Sequence, residues 1–172
     1  EDGFFGFVIL NTQLAAASGA IAALATVWLK TRKADIPTTL NGALAGLVAI
    51  TASCGFVAPW ASVIIGLIGG VLVVYSMEFF ETVKIDDPIF ALSVHGTVGI
   101  WGTLSNGLFA LPELSSGIGH GQAGLFYGGG LTQLGVQTLG VVASGIFAFA
   151  VSYLVLKILD KVLGGLRVTE EE

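Results

Sequence analysis

Four long stretches of this sequence, residues 3–29, 36–77, 88–111 and 131–156, contain no Asp, Glu, Lys or Arg. A hydrocarbon core about 30 Å thick needs roughly 20 apolar residues at helical rise. The first, third and fourth stretches each suffice for one crossing, and the second suffices for two. The natural break in the second is Cys54-Gly55-Phe56-Val57-Ala58-Pro59, where Pro59 and Trp60 suit a turn at the membrane interface. Helices are expected rather than strands, because backbone groups in lipid must be satisfied within the segment and the runs lack period-2 alternation. The expected fold class is an all-α membrane protein, with residues 1–172 as a single transmembrane domain. Its five spans are expected at about 3–29, 38–55, 59–78, 88–111 and 131–157, followed by a cytoplasmic tail at 158–172.

With these spans in place, all seven basic residues fall on one side. Lys30, Arg32 and Lys33 follow the first span, Lys84 lies between the third and fourth, and Lys157, Lys161 and Arg167 follow the last. Basic loops are retained in the cytoplasm. The amino end is therefore expected outside and the carboxyl end inside, in a multi-pass protein of the cell membrane. The net charge of −5 comes from acids at both ends and in the loops, so no basic surface for nucleic acid is expected. The single Cys54 has no internal disulfide partner. The first residue is Glu1, so the chain is expected to begin inside a longer reading frame or after processing.

Twenty-five glycines would cost soluble helices about 1 kcal/mol each relative to alanine. In lipid, small residues let helix backbones approach closely. Gly42 with Gly46, then Gly66 with Gly69 and Gly70, and Gly96 with Gly99 and Gly102, are expected to be such packing surfaces. Asp86 and Asp87 precede Pro88 at a helix start near the cytoplasmic face, where a cap is the expected role. Residues 112–130 form a glycine-rich outer loop in which His120 is expected to be solvated.

His95 is the residue expected to carry chemistry. It lies about 10 Å along a helix of small and apolar residues. Ionisable groups at such depth normally face a bundle interior or a polar path. A neutral imidazole offers one donor and one acceptor, enough to hydrogen-bond a small polar solute without a fixed charge. The alternative is a structural histidine bonded to a neighbouring backbone or hydroxyl group. A catalytic zinc site needs about three protein ligands, and no second ligand stands at the right spacing in the spans. Ser144 in Val142-Ala143-Ser144-Gly145 has no histidine obviously paired with it, so hydrolase chemistry is disfavoured. No phosphate- or dinucleotide-binding glycine pattern occurs. No enzyme activity and no cofactor are expected, and transport of something small remains.

Several segments are specific beyond composition. Asp86-Asp87-Pro88, Val94-His95-Gly96 and Gly99-Ile100-Trp101-Gly102 closely resemble the tenth transmembrane helix of ammonium transporters, the Amt/Mep/Rh superfamily. Asn11-Thr12, residues 42–48, Ala52-Ser53-Cys54-Gly55 and Gly165-Leu166-Arg167-Val168 also resemble that family, in its order. The resemblance covers nearly the whole chain and implies helices seven to eleven of an eleven-helix fold. It further implies a homotrimer in which each subunit has a narrow pore for ammonium or ammonia, lined by two histidines. His95 matches the second of these, and Ala91 matches a pore-lining aliphatic position one turn earlier. The first pore histidine, the aromatic gate and the outer recruiting site belong to an amino-terminal half that this chain lacks. That half is an implied partner, together with the lipid bilayer and a cytoplasmic PII-type regulator. A membrane sensor or assembly module built on the same half-fold, without transport, is the alternative function.

Overall fold

A computed structural model describes residues 2–116 and 121–166. All regular structure among these residues is helical. Helix α1 runs Asp2–Thr31, α2 Ile36–Thr51 and α3 Pro59–Thr82. A π-helical turn at Leu92–Thr97 leads into α4, Val98–Phe109. A short α5 (Pro112–Ser116) and a single 3-10 turn (Leu125–Tyr127) lie in the loop before α6, Thr132–Leu163. Three of the described helices, α1, α3 and α6, are long and apolar enough to cross a membrane. At 16 residues, α2 reaches only about 24 Å at helical rise.

The chain divides into two compact units, Glu1–Thr138 and Leu139–Glu172. The first is built around α1. Gly46 and Gly66 press on one carbonyl of α1: a Cβ on either would fall 2.1 or 2.3 Å from the Ala15 oxygen. One turn on, a Cβ on Gly42 or Gly70 would fall 2.7 or 2.2 Å from the Gly19 oxygen. No side chain fits at those distances. The small-residue faces of α2 and α3 thus seat both helices on α1 within one chain, which is the use of small residues expected in lipid. The core that results is made of alanine and valine (Ala15, Ala23, Ala45, Ala49, Val73) with Ile50 and Ile65.

Two helix boundaries differ from expectation for identifiable reasons. Helix α2 stops at Thr51 because the Ser53 and Cys54 amides both turn back to the Ile50 carbonyl. Buried Asn11 of α1 then donates from Nδ2 to the carbonyls of Cys54 (2.8 Å) and Val57 (3.0 Å), satisfying acceptors that the turn leaves free. The fourth helix does not start at Pro88. The Phe90 amide closes a turn onto the Asp87 carbonyl, Phe90 adopts a left-handed conformation (φ 56°), and helical structure begins at Ala91.

Helix α4 is seated on both of its neighbours. Trp101 donates from Nε1 to the Ile65 carbonyl at 3.0 Å, and Gly102 lies against Ala49, whose oxygen would be 2.6 Å from a Cβ there. The start of α6 packs on its far end, where Gly107 meets Leu134. Trp60, Phe109 and Phe126 make edge-on aromatic contacts at 6.0 and 5.1 Å in the same region. At the opposite end of α1 and α3, Lys30 pairs with Glu78 and lies 4.4 Å from the Tyr75 ring. The second unit continues α6 to Leu163, with its described side chains exposed apart from half-buried Val141. Gly164 and Gly165 end the helix in positive φ, and the Leu166 amide caps back onto Asp160 Oδ1 at 3.1 Å. The last part of the expected tail, 167–172, lies outside the described residues, as does His120.

Candidate functional site: the His95 groove

The site begins with a backbone irregularity. His95 stands in the π-helical turn, between buried Val94 and half-buried Gly96. The spacing His95, Gly99, Thr103 places one residue per turn on a single strip of helix. Across from it, α2 contributes Val48, Thr51 and Ala52. Together these six residues line an open groove of about 390 Å³.

The groove has few polar atoms, and most are already committed. Thr51 Oγ1 donates to the Leu47 carbonyl at 2.7 Å, and Thr103 Oγ1 donates to the Gly99 carbonyl at 3.0 Å. Each hydroxyl hydrogen is spent on its own helix, which leaves the oxygen lone pairs as acceptors. The His95 imidazole makes no hydrogen bond to another described residue, and its side chain is exposed. A single free donor–acceptor group therefore stands on a wall of small and aliphatic side chains.

Ala91 is exposed one turn before His95 and does not line the groove. Asp86 is exposed and makes no side-chain hydrogen bond among the described residues. It stands instead at the rim of a second cavity of about 360 Å³, with Glu81, Asp87 and the apolar Val74, Met77 and Phe90. Asp87 has a definite task. Its Oδ1 accepts from the Leu92 amide at 3.0 Å, and its Oδ2 accepts from the Ser93 amide and hydroxyl, both at 2.9 Å. Burial acts to raise the Asp87 pKa. The amides of Leu92, Ser93 and Ala91 and the Ser93 hydroxyl outweigh it, holding the carboxyl below its ordinary value. Asp35 at the start of α2 is lowered similarly by the side chain and backbone of Thr38.

The sequence reading missed two contributors. Ser76 of α3 and Thr97 meet through their hydroxyls at 2.7 Å, with Ser76 buried in an otherwise apolar helix face. Phe90 sets the helix start through its left-handed backbone. A buried hydroxyl amid aliphatic residues was a usable signal for Ser76, whereas Phe90 offers none. No group of three or more His, Cys, Asp or Glu among the described residues is arranged to hold a metal ion.

Comparison with known proteins agrees over nearly the full chain. The family described as Ammonium Transporter Family matches residues 3–172. The chain is similar to ammonium transporter Amt2 of Archaeoglobus fulgidus, 40% identical over 94% of this chain and 35% of that protein. It is also similar to an ammonium transporter of Bacillus subtilis, at 38% identity over 99% of this chain and 41% of that one. Among solved structures, a protein described as a sensor Amt protein aligns with a TM-score of 0.86 and 40% identity, over 98% of this chain and 40% of the other. Candida albicans Mep2 aligns with a TM-score of 0.87 and 30% identity, over 96% and 37%. The chain therefore spans well under half the length of these relatives.

Proposed function

Because the chain belongs to the ammonium transporter family, a family of multi-pass membrane transport proteins and not of enzymes, we propose that it supplies one wall of an ammonia-conducting pore. Five crossings are proposed, with the amino end outside and the carboxyl end in the cytoplasm. The observation that carries this reading is the His95 groove: one imidazole with no hydrogen-bond partner among the described residues, on an apolar wall.

Ammonium and potassium are cations of similar size. A bare cation in an apolar pore costs at least about 2.5 kcal/mol at the bilayer centre. Ammonium escapes that cost by giving up its proton, and potassium does not. A neutral imidazole then offers ammonia a hydrogen-bond donor and acceptor in place of water. His95 receives the solute from the direction of Ala91 or Thr103, and the lone pairs of Thr51 and Thr103 provide the nearest further acceptors. Asp86 and Asp87, near the proposed cytoplasmic face, lie outside the conducting strip.

A groove left open to lipid would expose polar atoms unfavourably. The wall is completed by a complementary amino-terminal half, which brings the first pore histidine and the aromatic gate. The assembled transporter is a homotrimer, and a PII-type protein docks at its cytoplasmic face. A second reading, a membrane sensor without transport, is favoured by the 40% identity to the sensor Amt protein.

Uptake of labelled methylammonium, in cells lacking their own ammonium transporters, separates the two. The chain is expressed alone and then with the amino-terminal half of a family member. Uptake by the pair supports transport. Its absence from the pair, with both pieces inserted in the membrane as mapped by protease protection, favours the sensor.

A further inference from the structure

A π-helical turn inserts one residue into an α-helix, is rare, and recurs at functional sites. Unusual backbone of this kind persists only where its surroundings over-determine it. In this chain the turn at Leu92–Thr97 is tied at both ends and free in the middle. At its start, the two carboxylate oxygens of Asp87 hold the amides of Leu92 and Ser93 and the Ser93 hydroxyl. Ser93 is fully buried, so its side of this tie is shielded from water, while the bond from the Leu92 amide lies exposed. At its end, Thr97 is hydrogen-bonded to buried Ser76 on α3 at 2.7 Å. Val94, between the two ties, and Val98, just after the second, are packed into the core at 2% and 0% exposure. His95, two residues before the second tie, has no tie of its own.

The geometry leaves little freedom. One residue is worth about 100° of rotation and 1.5 Å of rise in an α-helix. If the turn relaxed to regular α-helix from the Asp87 end, Thr97 would rotate away from Ser76. If it relaxed from the Thr97 end, the amides of Leu92 and Ser93 would leave the carboxylate. Keeping both ties keeps the extra residue, and the extra residue sets the direction of His95 relative to Gly99 and Thr103. We propose that Asp87 and the Ser76–Thr97 pair are positioning residues that clamp the π-helical turn from both ends and so aim the His95 imidazole into the groove. The clamp is a property of the backbone; its importance for transport rests on the function proposed above for His95.

The test reads the imidazole directly. The chain contains two histidines, so His120→Gln leaves His95 as the only imidazole. The chain carrying that substitution is labelled with ¹⁵N-histidine, assembled with an amino-terminal half in lipid nanodiscs, and examined by NMR beside methylammonium uptake. One set of imidazole resonances is expected without further substitution. Asp87→Ala and Thr97→Val each remove one tie, and each is expected to shift or multiply those resonances. Each is also expected to lower uptake about tenfold per folded transporter, less than the roughly hundredfold that a full ångström of misplacement can cost, with KM changed along with the maximal rate. Ser76→Ala removes the second tie from the other helix and should reproduce Thr97→Val, which keeps the test available if Asp87→Ala does not fold. Unchanged imidazole resonances in Thr97→Val and Ser76→Ala overturn the clamp. So does a loss confined to the amount of folded protein, with KM and resonances intact. If uptake is absent even from the unsubstituted pair, the transport reading fails, and the resonances still decide the clamp.

Discussion

The junction of α1, α2 and α3 and the groove around His95 are both built from small residues, yet they behave as opposites. At the junction every small residue is consumed: Gly42, Gly46, Gly66 and Gly70 press directly on the carbonyls of Ala15 and Gly19. In the groove, Ala52 and Gly99 leave space, and a Cβ on Gly99 would touch only Val48 Cγ1, at 3.9 Å. Polar groups divide in the same way. Asn11 spends its amide on two turn carbonyls, while His95 keeps its hydrogen-bonding capacity. Small residues bring helices together in one place and leave a groove open in the other, and only the presence of a partner backbone tells the two uses apart.

Substitutions that fill or empty each region should separate them. Gly46→Leu has the largest expected effect, since its first side-chain carbon already collides with the Ala15 oxygen. It should cost about 3 kcal/mol or more by overpacking, read as loss of monodisperse protein in detergent. Asn11→Ala leaves two turn carbonyls without their donor and should cost about 2 kcal/mol, read as a lower thermal midpoint. His95→Ala should leave that midpoint within about 0.5 kcal/mol of the original while lowering ammonium flux or its selectivity over potassium. A large loss of stability in His95→Ala would make the groove part of the core and erase the contrast. His95→Asp, which puts a fixed negative charge on the same wall, should admit other cations; unchanged cation currents there would count against a pore-lining position.

The smallest expected effect is on acid stability. Asp35 and Asp87 both have folded pKa values below the ordinary carboxylate value. Groups of this kind contribute stability above their unfolded pKa and lose it as the pH falls through the folded one. The thermal midpoint should therefore hold from neutral pH to about pH 4 and fall below it. Asp35→Asn, which no longer titrates, should flatten part of that fall. An acid limb unchanged in Asp35→Asn would show that its hydrogen bonds to Thr38 do not couple to folding.

Much of the architecture was legible because lipid leaves few choices. Charge-free stretches mark apolar helices, and the glycine rows on α2 and α3 announced close packing before any contact was known. Asp87 beside Pro88 stood out as an acid just before an apolar run, and His95 as an ionisable residue within one. The details that aim His95 were not legible. A π-helical turn has no residue preference to read, because it arises from two ties set by α3 and by the loop before the helix. The left-handed Phe90 moved the helix start from Pro88 to Ala91, although bulky residues rarely adopt that conformation. The early end of α2 depends on Asn11, which is 43 residues away from the Cys54 carbonyl it holds.

The most direct test of the account is methylammonium uptake by the chain paired with a family amino-terminal half, with and without His95→Ala, in the presence of excess potassium. Uptake by the unsubstituted pair that potassium does not suppress, and that His95→Ala reduces or opens to potassium at equal membrane abundance, is the predicted result. Uptake and potassium exclusion that are both indifferent to His95→Ala would contradict the claim that this groove is the conducting wall.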